Sequence, residues 1–395
     1  MKKSLFLSAM MFAHTSFAAE SLFLKFNSES SISSYLEQNP SAVRIHKKLM
    51  WVKTSSLELN LSPAVIEVEK DRSYRVGPMI LDSYGEPQKA LWGIKRVSAT
   101  KAWAKGIDGD GVVVAVVDTG VNYKHPAISQ NMWTNDAEKN GKPGVDDDKN
   151  GYVDDIYGYN FIGNKSDPKD DMMHGSHVAG TIAGLNAKDF FYGVAPHARI
   201  MAVKTHSNTG EASEESVVKG ILYAADMGAK IINCSWGGAP EAENESQVLF
   251  DAIVYAGSKG AVVIASAGND STNIDDHPSY PASYQTDNLL AVAATGSDDS
   301  LSYFSNYGKK TTHVAAPGSN ILSINYTGGY RQASGTSMAS PHVSGVAALI
   351  LQSLRNSLGR EPSAEELKAA IIANTEVVNK VSSRVISGLS TASQL

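Results

Sequence analysis

From about residue 91 onward, short uninterrupted apolar runs alternate with longer stretches in which apolar residues return every three or four positions. A run with no polar alternation has no wet face, so it is expected as a buried strand of a parallel sheet, and the periodic stretches are expected as helices crossing between such strands. Strands are predicted at 112–117, 200–204, 230–234, 262–265 and 290–293. Over 213–227, Val217, Val218, Ile221, Leu222 and Ala225 share one helical face, and 247–258 has the same spacing. A last helix is predicted at 363–372, where Glu365 and Glu366 fall in the first turn and meet the positive end of the helix dipole. The expectation is an α/β fold: a mostly parallel sheet with helices on both faces.

The chain before residue 91 has a different texture. Lys2 and Lys3, the apolar run 5–12 and the small-x-small triplet Ser16-Phe17-Ala18 form an export signal with cleavage after Ala18 or Ala19. The run is too short for a membrane anchor and is broken by His14 and Thr15. Residues 20–75 carry two apolar runs, 22–24 and 64–66, and are expected to form a small α+β unit. The stretch 75–90 contains Gly77, Pro78, Gly85 and Pro87, lacks periodicity and is expected as a loop. The predicted division is therefore 1–19, 20–75, 76–90 and 91–395.

Charge and cysteine content narrow the function. With 35 basic against 41 acidic residues there is no basic stripe for a phosphate backbone, so nucleic acid is excluded as a partner. The single cysteine, Cys234, cannot form an internal disulfide, so outside the cell stability must come from packing or bound ions. Lying in a predicted buried strand, Cys234 is read as a small core residue.

Three segments carry chemistry. The apolar run 111–117 ends in Asp118-Thr-Gly120, placing a carboxylate at the carboxyl end of a strand, where ligands gather in such sheets. His174 opens a small-residue helical segment, His174-Gly-Ser-His177-Val-Ala-Gly. His174 and His177 are three apart with no Glu between them, unlike the zinc-protease pattern, so His177 is read as structural. Ser337, in Gly335-Thr-Ser337-Met-Ala-Ser-Pro341-His, is expected at a helix start, since Pro341 is tolerated only near one. An Asp, a His and a Ser in this order, each in such a setting, form a nucleophilic triad pattern.

These motifs closely resemble those of the subtilisin-like serine proteases. The one departure is Ser176, where the family usually has Thr, and it is expected to be harmless. The resemblance implies that Ser337 attacks the peptide carbonyl, His174 takes its proton and Asp118 orients His174. It further implies Asn269 as side-chain donor of the oxyanion hole, and Ser235-Trp236-Gly237 with Ser266-Ala267-Gly268 as the segments that pair with the substrate backbone. Residues 20–75 resemble the family's inhibitory pro-domain, an intramolecular partner removed by self-processing within 76–90. The implied product is a secreted, extracellular or periplasmic, serine endopeptidase acting on proteins, with no organic cofactor and no stable membrane anchor.

The acidic run 146–155 resembles the first part of an EF-hand calcium loop, with oxygen-bearing side chains at alternating positions and Gly151 at the turn. Asp146, Asp148, Asn150, Tyr152, Asp154 and Asp155 are the candidate ligand positions for a structural Ca2+. The closing Glu is absent, with Tyr157 in its place. Two other classes fit parts of the pattern. A binding protein on the same fold would not need the full triad and Asn269, and a metal-dependent hydrolase would resist a serine-directed fluorophosphonate.

Overall fold

Valines and alanines on both faces of 112–117 leave that segment no stable place at a surface, and it forms a central strand. The computed structural model describes residues 21–54, 63–81, 91–238 and 245–395. The export-signal segment lies outside the described residues, as do positions 82–90 of the expected loop. The chain divides into two compact units, Met1–Asp71 and Arg72–Leu395.

In the first unit Leu22–Phe26 is the inner strand of an antiparallel sheet, between Trp51–Thr54 and Val65–Lys70, with Val43–Arg44 at the edge. Helix Glu29–Gln38 starts where the Ser28 hydroxyl accepts the Ser31 N–H, and it buries Ile32 against Leu24, Phe26 and Val52. This is the α+β arrangement expected from the two apolar runs.

The second unit is built on a nine-stranded sheet. Its six inner parallel strands are, in spatial order, Val314–Pro317, Leu289–Thr295, Val262–Ser266, Ile231–Cys234, Val113–Asp118 and Arg199–Lys204. Residues Val114, Val116, Ile264 and Val292 face helices His174–Ala183 and Thr336–Leu358 in one continuous core. On the other face Gly220, in helix Glu214–Asp226, lies so close to the sheet that an added Cβ would stand 2.5 Å from Thr205 Cγ2 and 3.0 Å from Val203 Cγ1. Both faces are covered, as the absence of alternation predicted. The helices predicted at 213–227, 247–258 and 363–372 are observed at Glu214–Asp226, Gln247–Ser258 and Ala364–Ala373, the last closed by a Ser363/Glu366 capping box.

The stretch 75–90 departs from the loop expectation. Ser73–Val76 lies antiparallel between Glu211–Ser213 and Trp236–Gly238, and Ile80–Leu81 pairs with Tyr330–Ser334. Ladder hydrogen bonds use only the backbone, so a strand that adds to waiting edges needs no apolar periodicity of its own.

Among the buried histidines of this unit, burial holds His177, His206 and His313 down at about 3 and His342 at about 4. An unfolded chain takes up protons at these sites below about pH 6.5, whereas the folded chain does not until near pH 3 to 4. The histidines' contribution to stability is thus complete above pH 6.5 and is lost as pH drops through this window, by about 1.4 kcal/mol per pH unit for each histidine involved. Denaturant unfolding of the Ser337→Ala protein between pH 7 and 4.5 is expected to show this decline, and a pH-independent midpoint would contradict it.

Candidate active site

Asp118 ends its strand fully buried, and a buried carboxylate requires donors. His174 Nδ1 lies 2.8 and 2.9 Å from its two oxygens, and the Thr119 N–H donates to Oδ1 at 2.7 Å. The Asp118 carbonyl accepts the N–H groups of Thr205 and His206, and Lys204 Nζ donates to the carbonyls of Thr119 and His206. The turn after the strand is therefore tied to its neighbour at several points.

His174 is the first residue of its helix, and the chain enters through Met173 at φ +109°, a conformation that costs energy for a residue with a Cβ. Asp170 holds this entry. Its Oδ1 accepts from Met172 N–H, Met173 N–H and the Thr119 hydroxyl, and its Oδ2 accepts from Ser176 N–H and, at 2.6 Å, the Ser176 hydroxyl. Thr119 Oγ1 in turn accepts the Gly175 N–H, and a Cβ at Gly175 would lie 2.1 Å from the Gly120 carbonyl oxygen. Asp170 thus joins the turn after Asp118 to the helix that carries His174. Burial raises its pKa, against the pull of these hydrogen bonds. Ser176 makes the contacts its hydroxyl allows, accepting also from Asn122 N–H.

Ser337 is the second residue of helix Thr336–Leu358, as Pro341 required, and is buried. Its hydroxyl donates to the Ser235 carbonyl at 2.9 Å, while His174 Nε2 is buried with no hydrogen-bond partner. Asn269 follows strand Val262–Ser266. Its Oδ1 accepts both the N–H and the hydroxyl of Thr336, which leaves Nδ2 facing the Pro78 carbonyl at 3.5 Å. His177 Nε2 instead lies at 3.0 and 3.1 Å from the carbonyls of Ile321 and Arg331, inside the fold. Cys234 is buried, and burial pushes its thiol well up, so it is a core residue rather than a reactive thiol.

The segments expected to meet substrate line one open cleft. Gly237, Ser266, Gly268, Asn269 and Ser337 border it, together with Arg75, Gly77 and Pro78 of the stretch that runs through it. Trp236 pairs with Val76 and Gly237 with Arg75, while the Trp236 indole donates to the Val117 carbonyl. Ser235 packs beneath, its hydroxyl 2.7 Å from that of Ser340, and the Ala267 N–H and carbonyl are taken by Val292 and Asn306.

In the acidic loop, Asp148 and Asp155 converge with Glu138, one oxygen of each lying within 4.8 Å of the others. Asn150 Nδ2 donates to both Asp148 and Asp155, and burial raises the Asp155 pKa. Hard carboxylate oxygens at this spacing suit Ca2+. Asp146 and Asp154 instead accept backbone N–H groups of Asn150, Gly151 and Gly144, and the Tyr152 ring packs against Tyr159, Phe161 and Tyr223. Glu138, which accepts the N–H groups of Asp147, Asp148 and Asp154, lies outside the EF-hand-like spacing and so carried no motif signal.

Residues 109–388 match the family model described as the subtilase family, a peptidase family. The chain belongs to the subtilase family. Among its subtilase relatives, thermitase of Thermoactinomyces vulgaris is 38% identical over 281 residues, covering 71% of this chain and 86% of that protein. A thermophilic serine proteinase of Bacillus sp. (strain AK1) is 35% identical over 325 residues, covering 81% and 72%. A solved structure of a cold adapted subtilisin-like serine proteinase superposes with TM-score 0.60 at 30% identity, covering 76% of this chain and 98% of that one. This subtilase is accordingly a serine endopeptidase hydrolase with the subtilisin-like α/β fold. Among the described residues no helix is long and apolar enough to cross a membrane.

Asp170 escaped sequence reasoning because acidic residues at 167, 170 and 171 look like a solvated turn. Removing it would leave buried donors unpaired and free the strained entry to His174. Asp170→Ala is expected to lower kcat at least tenfold and to lower the unfolding midpoint, with Asp170→Asn intermediate. Unchanged kcat in a destabilised Asp170→Ala enzyme would confine Asp170 to stability.

Proposed function

We propose that this chain is made as a secreted zymogen whose mature form cleaves proteins through Asp118, His174 and Ser337. The observation that carries the reading is the Asp118–His174 contact in a fully buried setting, with the unpartnered Nε2 of His174 left as the proton acceptor. Asp118 fixes the tautomer with the proton on Nδ1 and offsets the charge of the imidazolium. For attack, the Ser337 hydroxyl turns from the Ser235 carbonyl toward Nε2. Its oxygen then bonds to the substrate carbonyl carbon as its proton passes to His174. Negative charge collects on the carbonyl oxygen, where Asn269 Nδ2 and the Ser337 N–H act as donors. Because Thr336 already holds the Asn269 amide, little reorganisation is needed as that charge develops. His174 next protonates the leaving amine, and water resolves the acyl-enzyme by the same steps.

Residues 20–75 act in this reading as an inhibitory pro-domain. Support comes from Ser73–Val76, which pairs with Trp236–Gly238 in the cleft as a substrate backbone would, and from the Pro78 carbonyl beside Asn269. Self-cleavage falls within 76–90. The export signal makes the mature enzyme extracellular or periplasmic. Calcium has a structural role, held by Glu138, Asp148 and Asp155, where it would offset three neighbouring carboxylates.

Ser337→Ala or His174→Ala is expected to lower kcat roughly a million-fold, the magnitude known for such replacements in subtilisin. The Ser337→Ala precursor is expected to accumulate uncut, whereas wild type yields a form beginning between residues 76 and 91. N-terminal sequencing and a single fluorophosphonate adduct on Ser337 by intact mass check both; the same mature N-terminus in Ser337→Ala would end the self-processing reading. Calcium is expected to raise the thermal midpoint by mass action, and Glu138→Gln with Asp148→Asn is expected to abolish that rise. An intact calcium response in the double variant would place the ion elsewhere.

A further inference from the structure

His206 is fully buried next to the Asp118 turn, where its N–H donates to the Asp118 carbonyl at 3.2 Å and its own carbonyl accepts the Lys204 amine at 3.1 Å. Its ring packs against that of Trp236, 5.5 Å between centroids, and its Nδ1 lies 2.9 Å from the Thr205 hydroxyl. Nε2, on the opposite side of the ring, is buried and has no hydrogen-bond partner among the described residues. Burial keeps the imidazole neutral at neutral pH, so it carries one N–H and one lone pair, and one of these is left unused. A buried polar atom without a partner is costly. Packing on Trp236 does not account for it, since an apolar side chain would pack there without an unpaired nitrogen.

The strand in the cleft brings one side chain to this place. Val76 pairs directly with Trp236, so the two side chains project from the same face of the ladder. Tyr74, two residues back, shares that face and meets the Trp236 ring edge-on at 5.3 Å between centroids. Beyond Val76 lies the turn that His206 opens. The Gly210 N–H donates to the Ser207 carbonyl, and the Gly210 carbonyl accepts the Val76 N–H at 2.9 Å. A Cβ on Gly210 would stand 2.6 Å from Val76 Cγ2. The Val76 isopropyl group, 6% exposed, is thus enclosed between the turn that follows His206 and the indole that His206 packs against. It has no polar atom to offer Nε2.

We propose that His206 is a specificity-determining residue that makes this enzyme prefer threonine over valine at the substrate position occupied here by Val76. The inference rests on Ser73–Val76 lying in the cleft as substrate does, and it adds to that reading the chemistry of one side chain. Threonine has the shape of valine, and its hydroxyl can give or accept a hydrogen bond, so it suits Nε2 in either tautomer of the ring. The chain's own segment, with Val76, lacks a bond that such a substrate forms. Sites that bond a substrate hydroxyl discriminate against the analogue that lacks it.

The test uses enzyme obtained from the full-length chain and two peptides that reproduce residues 72–75, followed by Thr or Val and then a cleavable Leu–Ser bond. Mass spectrometry identifies the bond cut. The Thr peptide is expected to have roughly a three- to tenfold higher kcat/KM, the range for a hydrogen bond between neutral groups. His206→Leu is expected to bring the ratio to one or below, whereas His206→Gln, which keeps a hydrogen-bonding side chain, is expected to retain a preference for Thr. The ratio within one enzyme sample is independent of how much of it is folded. If His206→Leu yields no enzyme, His206→Phe serves as the apolar variant that keeps a ring against Trp236. A wild-type ratio within about twofold of one, or a ratio that the apolar variants leave unchanged, would overturn the proposal. Where both peptides are cut at the Leu–Ser bond and Ser337 takes a fluorophosphonate adduct, such a result removes the role of His206 and leaves the triad and cleft reading standing. Cleavage at another bond, or neither cleavage nor adduct, would overturn that reading and this one with it.

Discussion

A carboxylate removed from water has to be met by hydrogen bonds, and Asp118 imposes that requirement at the centre of the molecule. It is fully buried at the end of a strand whose other residues are apolar on both faces. Its side chain is met by His174 and Thr119 and its carbonyl by Thr205 and His206, so the residues around it cannot shift independently. Asp170 extends the same constraint to the helix start, because its donors come from both the Asp118 turn and the His174 entry. The strain at Met173 persists because the surrounding bonds over-determine it. Rigidity at this site is bought with buried polar groups rather than with apolar packing.

The parts of the fold that were legible in the sequence are those governed by periodicity. Strand Val113–Asp118 and helix Glu214–Asp226 depend on local patterns of apolar residues, and their limits fall within a residue or two of expectation. Ser337 at a helix start was legible for a different local reason, the position of Pro341. The strand Ser73–Val76 was not legible, since its pairing is decided by edges more than a hundred residues away. Asp170, Glu138 and Glu214 share that limitation. Each is an acidic residue in a polar stretch, and its burial, which the sequence around it does not announce, distinguishes it from a solvated charge.

The acidic loop shows how a motif can mark a place without naming its atoms. Spacing within 146–155 pointed to an oxygen-rich turn, and Asp148 and Asp155 do converge there. Asp146 and Asp154 lie outside that cluster and accept backbone N–H groups of the turns, as Glu138 within it also does. Glu138 comes from a preceding helix turn, Asp136–Lys139, so the carboxylate cluster is assembled by tertiary structure rather than by one continuous loop.

Two kinds of recognition coexist in the cleft. The ladder between Ser73–Val76 and its two neighbours uses groups that every residue except proline possesses, so it confers binding with little regard to sequence. Between that strand and Ile80–Leu81 the chain passes through Gly77 and Pro78, and there the ladder is interrupted beside Asn269. Proline has no N–H to give, and a Cβ at Gly77 would lie 2.8 Å from Asn269 Nδ2. The backbone is therefore paired on either side of Gly77 and Pro78, while the stretch between the strands is shaped by the conformation of these two residues. Side-chain enclosure accompanies the ladder at Tyr74, which is buried and donates to Glu214. On the proposed function, such a cleft would hold the chain's own segment and protein substrates alike, because backbone pairing is common to both.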